Sequence, residues 1–106
     1  MPKYLIQGRY TPEGLQGLAK DKASGRKEAV KAAMKAVKGK VESLYFALGA
    51  DDVFVIVDAP DNVAIAALSM AIGASGMVNV RTTPLLTVSE VDQALELPLK
   101  YRAPGK

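Results

Sequence analysis

The alternation of apolar and polar residues predicts two structural elements in the first part of the chain. Residues 3–10 alternate between two sets, as the side chains of a β-strand do. Thr11 and Pro12 then form a helix start, because threonine caps a helix and proline suits its first position. Apolar residues at helical spacing continue to Val37, with an interruption over residues 21–25, where Gly25 predicts a loop or kink. Gly39 is placed to end this helix.

The pattern predicts three strands and two helices in the rest of the chain. Residues 41–48 alternate, a Gly- and Asp-rich turn follows at 49–52, and residues 53–57 are continuously apolar, as in a strand covered on both faces. Residues 62–74 are apolar almost all round, which predicts a helix buried on more than one side. An extended run over 77–86 predicts the fourth strand. Thr87 and Glu90 then fit a capping box at the start of a short helix.

The order βαββαβ predicts a ferredoxin-like α+β sandwich. With right-handed crossovers, its antiparallel sheet has the order 4-1-3-2 and both long helices lie on one face. The strand at 53–57 is apolar towards both faces, so the other face also needs a cover. We therefore expect a second copy to pack sheet against sheet about a twofold axis, as in a dimeric α/β barrel. Residues 1–97 are predicted to form a single domain, followed by a flexible basic tail at 98–106.

Composition removes several classes of chemistry. The chain has no cysteine and no histidine. Disulfides, thiolate nucleophiles, Ser-His-Asp triads and ordinary zinc sites are therefore excluded. The phosphate-binding glycine motifs are also absent, and we expect no metal and no other cofactor. Because the sequence lacks a membrane-length apolar run and a signal peptide, we expect a cytoplasmic protein with no membrane partner.

The charge is divided unevenly along the chain. Residues 1–50 hold ten Lys and Arg against four acids, residues 51–106 hold four against seven, and the net charge is +3. The basic residues of the first helix have no aromatic residues among them, although stacking on single-stranded nucleic acid needs aromatics. We read them as a solvated helix face and expect no nucleic-acid partner. The uneven charge also suits head-to-tail contact between subunits.

A polar cluster is predicted at one end of the helix-free face. In the order 4-1-3-2, the end of strand 1 lies beside the starts of strands 3 and 4, and alternation turns their polar side chains towards the face that a dimer would enclose. Buried charge is costly unless it is paired, so we predict an ion pair of Asp52 with Arg9 or Arg81 near the barrel mouth. The predicted ligand-binding residues are Gln7, Arg9, Tyr45, Asp52, Asn79 and Arg81.

Three functions fit this cluster. The first is a pocket for a small anionic or carbonyl-bearing metabolite, with Arg9 and Arg81 as fork donors and Tyr45 as wall or hydroxyl donor. The second is a cofactor-independent oxygenase or isomerase that works through pocket electrostatics. The third is a structural or regulatory assembly subunit in which the same residues form only an interface network. The sequence leaves open whether the protein is an enzyme.

Seven short motifs are distributed along the chain: Met1–Tyr4, Arg9–Gly14, Arg26–Val30, Tyr45–Ala47, Asp52, Asp58–Asn62 and Arg81–Thr87. They resemble motifs of the GYD-domain family, and the similarity covers nearly the full length. The stretch 81–87 is the most specific. The resemblance implies a ferredoxin-like fold of the dimeric α/β-barrel kind and a homo-oligomer, and it implies no established activity. In the turn that gives the family its name, Asp51 stands where tyrosine is usual, whereas Asp52 keeps the usual acid.

Overall fold

A computed structural model describes residues 1–106 and contains four strands and three helices. Their order along the chain is the predicted one, with the short third helix at the end. The strands are β1 (Lys3–Tyr10), β2 (Lys40–Phe46), β3 (Val53–Asp58) and β4 (Val78–Leu85), and the helices are α1 (Pro12–Ala36), α2 (Asn62–Ala74) and α3 (Val88–Leu95).

The four strands form one antiparallel sheet in the order β2-β3-β1-β4. This confirms the predicted strand order. In the register, Ile6 of the central strand β1 lies opposite Val55 of β3 on one side and Thr82 of β4 on the other. A register shift between Val41 and Ser43 interrupts the β2–β3 ladder, as a β-bulge does.

The hydrophobic core lies on one face of the sheet. Alternate residues of β1 and β3 are buried there, and Met34 of α1 and Leu68 of α2 belong to the same cluster, so both long helices cover this face. Full burial of a valine, leucine, isoleucine or methionine side chain stabilises a fold by about 1.5–3 kcal/mol. The nine core residues are Tyr4, Ile6, Met34, Val53, Val55, Val57, Ala59, Ile65 and Leu68.

Helix α1 contains the predicted interruption, but at a different residue. Lys22 has a φ of 66° and a ψ of 164° and breaks the helical backbone inside the predicted interruption over residues 21–25, whereas the prediction took Gly25 as the kink residue. At the other end, Lys38 has a φ of 62° and makes the left-handed turn that ends the helix. Gly39 is needed there for a different reason, because a side chain would run into the Asp58 carbonyl and the Met34 side chain.

The second and third helices leave apolar surface uncovered in a single chain. Helix α2 buries Ile65 and Leu68 but exposes Val63 and Met70, so only one of its predicted buried sides is covered. Helix α3 begins with the predicted Thr87–Glu90 capping box, yet none of its residues is buried, and Leu95 is 79% exposed. The radius of gyration is 16.9 Å, against about 13 Å for a compact domain of 100 residues. None of the helices combines the length and apolarity needed to span a membrane.

Candidate functional site

The helix-free face of the sheet, called the open face below, has an apolar centre. Leu5 of β1 lies opposite Ile56 of β3 and Thr83 of β4, and Phe54 is the next residue of β3 with the same orientation. Leu5, Phe54 and Ile56 are all partly exposed, because no helix covers them. Charged groups lie at both ends of this apolar centre.

At one end, a cluster of polar side chains holds the turn between β2 and β3. The Asp51 carboxylate pairs with the Arg81 guanidinium of β4, and the same oxygen accepts a hydrogen bond of 3.1 Å from Gln7 Nε2 of β1. Arg9 Nη1 donates to the Ala50 carbonyl oxygen at 2.5 Å. The Asp51 side chain is only 13% exposed, whereas that of Arg81 is 68% exposed. The turn is therefore fixed to both β1 and β4.

The predicted ion pair of Asp52 with Arg9 or Arg81 is wrong, because the neighbouring Asp51 takes that position. Asp52 Oδ2 instead accepts a hydrogen bond of 2.8 Å from the Tyr10 backbone amide, and the Asp52 amide donates to the Gly8 carbonyl oxygen at 2.8 Å. The β1–β3 register ends at Gly8 and Val53. Asp52 thus supplies an acceptor to the backbone just past the last registered pair and forms no ion pair with either arginine.

The other predicted site residues are spread over the same end of the open face. Asn79 is exposed and lies opposite Arg9, and Tyr45, opposite Phe54 on the edge strand β2, is 72% exposed. The structure thus brings Gln7, Arg9 and Arg81 to one turn and leaves Tyr45 apart. None of the six predicted residues lines any of the four cavities of the single chain.

Sequence reasoning missed an ion cluster at the opposite end of the open face. Lys3 Nζ lies 2.9 Å from a carboxylate oxygen of Asp58 and 2.9 Å from one of Glu42. Asp58 is buried. The hydrogen bonds that Lys3 donates to Asp58 and Glu42 raise the pKa of Lys3 above its ordinary value, because both carboxylates favour the charged ammonium. The alternation that places Leu5 and Gln7 on the open face also places Lys3 there, which was the available signal.

The acidic side chains form no group of three or more that could hold a metal ion. At the end of the open face that holds the β2–β3 turn, two guanidinium groups and two amides supply hydrogen-bond donors beside the Asp51 carboxylate, next to an apolar surface. Such an arrangement recognises carboxylate or carbonyl oxygens, or binds the matching groups of another protein surface.

These features define a small α+β domain with a four-stranded antiparallel sheet, two helices on one face and an uncovered second face. The GYD domain model matches residues 4–95, and the chain belongs to the GYD domain family. The family resemblance expected from the sequence motifs is confirmed. No curated protein matches the chain.

Proposed function

We propose that the protein is a homo-oligomeric, ferredoxin-like domain of the dimeric α/β-barrel type that binds a small metabolite. Two copies pack open face against open face, and Arg9 and Arg81 bind an anionic or carbonyl-bearing molecule at the mouth between the sheets. The observation that carries this proposal is the apolar centre of the open face, which lacks a cover in the single chain.

The exposed apolar surface supports self-association. Contiguous apolar patches on a protein surface mark sites of interaction, and burial contributes about 25 cal/mol per Å² of apolar surface. Helix α3 adds a second argument. Helix α3 has 8 residues, whereas an isolated helix needs about 12–15 residues to be stable in water. Since α3 buries none of its residues in its own chain, packing against a second copy supplies the missing stabilisation.

The arginines retain donors for a ligand. Arg81 makes its ion pair with Asp51 and is still 68% exposed, and Arg9 makes one side-chain hydrogen bond. A guanidinium carries five N–H donors, so most donors of both side chains remain free. Asp51 balances one of the two positive charges, which leaves a net attraction for a single anionic group.

A purely structural assembly subunit is the second candidate, because the cluster is already bonded internally. Asp51, Gln7, Arg9 and Arg81 all have partners within the chain. This network positions the β2–β3 turn at the edge of the proposed interface without any ligand. The two candidates share the dimer and differ only in whether a metabolite occupies the mouth.

Sedimentation velocity tests the shared part of the proposal. The unmodified protein is expected to sediment as a dimer or larger oligomer at micromolar concentration, and Ile56→Lys, which places a charge at the centre of the open face, is expected to yield a monomer. Leu15→Lys is the matched control, because Leu15 is half-exposed on α1, away from the open face. A stable unmodified monomer would overturn the proposal.

A thermal-shift screen of small carboxylates and carbonyl compounds separates the two candidates. A binder is expected to stabilise the unmodified protein, and the stabilisation is expected to disappear in Arg9→Ala and Arg81→Ala. If no compound stabilises the dimer, or if the two variants respond like the unmodified protein, the assembly function is favoured.

A further inference from the structure

The geometry points to a second binding site, on the opposite side of the sheet, for a small α-amino acid with an apolar side chain. This site lies between α1, α2 and the helix-covered face, so it shares no residue with the proposed interface. It consists of two adjoining cavities, one apolar and one charged.

The inner cavity is almost entirely apolar. It has a volume of about 60 Å³, and 11 of its 13 lining residues are hydrophobic, the other two being Gly8 and Arg26. At about 30 Å³ for each water-sized group, this volume holds about two such groups, such as the two methyl groups that end a branched aliphatic side chain. Its walls come from the sheet (Ile6, Val80), from α1 (Val30) and from α2 (Leu68, Ile72).

The outer cavity adjoins the inner one and carries charge. Its volume is about 320 Å³, and Tyr10, Arg26, Ile72 and Val78 line both cavities. Volumes of about 300 Å³ and above are typical of small-molecule sites. A molecule whose apolar end fills the inner cavity therefore presents its polar end in the outer one.

Three charged side chains line the outer cavity: Glu13, Asp21 and Arg26. Arg26 Nη1 lies 3.7 Å from Asp21 Oδ2, which is longer than a hydrogen bond. Arg26 and Asp21 thus form an ion pair without a hydrogen bond, so the N–H donors of Arg26 remain available to hold a carboxylate through two parallel hydrogen bonds. The carboxylates of Glu13 and Asp21 are acceptors for an ammonium group.

The combination of charges selects between classes of ligand. A plain carboxylic acid would bond to Arg26 but leave two carboxylates facing it, and a plain amine would leave the N–H donors of Arg26 without a hydrogen-bond acceptor, since Asp21 is only ion-paired with it at 3.7 Å. An α-amino acid carries its carboxylate, its ammonium and its side chain on one carbon atom. It thus matches Arg26, the two acids and the inner cavity together.

The break in α1 brings the opposite charges to one cavity. In an unbroken helix with 100° per residue, residues five apart such as Asp21 and Arg26 lie about 140° apart around the axis. Lys22, between them, has the positive φ of 66° that residues other than glycine rarely adopt. Irregular backbone of this kind is often found at binding sites, and here it places both side chains in the same wall.

Gly17 provides the means to block the cavity. It lines the outer cavity, and a Cβ atom added to it would meet no other atom within 4 Å. Glycine weakens the interior of a helix, so replacing it favours the helix. Gly17→Leu is therefore expected to fill the outer cavity while the protein stays folded.

Isothermal titration calorimetry with three matched probes tests the site. L-Leucine is expected to bind, and 4-methylpentanoate, which lacks the ammonium, and 3-methylbutylamine, which lacks the carboxylate, are each expected to bind at least about tenfold more weakly. Arg26→Met and Gly17→Leu are expected to lose leucine binding. Lys27→Met, at an exposed position next to Arg26 that lines neither cavity, is expected to keep it. Thermal unfolding of each variant confirms that it is folded.

Three results would overturn the site: no binding of L-leucine, L-valine or L-isoleucine at millimolar concentration, equal binding of leucine and either analogue, or unchanged binding in Arg26→Met. The open-face variant Ile56→Lys distinguishes this site from the proposed function. Ile56→Lys is expected to bind leucine as tightly as the unmodified protein does, even though this variant no longer self-associates.

Discussion

The carboxylate of Asp51 pairs with the guanidinium of Arg81 across the central strand of the sheet. Asp51 lies in the turn between β2 and β3, Arg81 lies on the edge strand β4, and Gln7 of β1 donates to the same carboxylate oxygen from between them. One acidic residue thus joins the turn to two strands. It also orients the arginine that we propose as a ligand donor.

A double-mutant cycle between Asp51 and Arg81 is expected to show a coupling of about 0.5 kcal/mol in the free energy of unfolding. The value is small because Arg81 is largely exposed, and exposed ion pairs contribute about 0.2–1 kcal/mol. The same cycle between Asp52 and Arg81 is expected to be additive. Urea unfolding of the alanine variants measures both cycles, and a coupling that appears with Asp52 instead would refute the assignment of the pair.

Asp52 is expected to matter through the backbone of β1. Asp52→Ala removes the acceptor of the Tyr10 amide, and an unsatisfied backbone donor costs about 1–3 kcal/mol. Asp52→Asn keeps a side-chain oxygen and is expected to lose less than half as much. Asp92→Ala, at an exposed position of α3, is the control and is expected to change stability by no more than about 0.5 kcal/mol. Equal losses in Asp52→Ala and Asp52→Asn, measured by urea unfolding, would contradict this role.

The elements and the strand order of the fold follow from sequence because their signals are local and periodic. The alternation in β1, the Thr11–Pro12 helix start and the Thr87–Glu90 capping box each rest on a few neighbouring residues. The identity of the acid that pairs with Arg81 does not follow from such a local signal. Successive residues of an extended chain point in opposite directions, so whether Asp51 or Asp52 reaches the arginine depends on the residue at which the turn ends.

The cavities, and the exact residue at which α1 breaks within the predicted interruption, depend on packing that no local pattern reports. Gly25 is the residue that a sequence rule selects for a kink, yet the backbone breaks at Lys22. Asp21 and Arg26 lie on either side of that break and line one cavity. Their juxtaposition is therefore visible in the structure and not in the sequence.

Two glycines of α1 are expected to respond oppositely to alanine. The added methyl group of Gly14→Ala would overlap the Met77 carbonyl oxygen, which also accepts the Thr11 amide at 2.9 Å. Gly14→Ala is expected to lower the free energy of unfolding by about 1–3 kcal/mol. Gly17→Ala meets open space and is expected to stabilise the protein by about 0.5–1 kcal/mol through helix propensity. Thermal unfolding measures both, and a shift of the same sign in the two variants would contradict the close approach at Gly14.

The start of α3 is expected to loosen in acid. The Thr87 backbone amide donates to Glu90 Oε1 at 2.8 Å, and this bond, followed by the one with the Thr87 side chain, lowers the pKa of Glu90 below its ordinary value of 4.5. Because the folded helix favours the charged carboxylate, the stabilisation is present above the ordinary pKa and is lost as the pH falls through the lowered one.

The Thr87 amide resonance, followed by NMR, is expected to show a transition below pH 4.5 that is absent in Glu90→Gln. In Thr87→Ala, which retains the backbone donor, the midpoint is expected to move part of the way upward. A midpoint at or above 4.5 in the unmodified protein would show that the capping box does not hold the charged form.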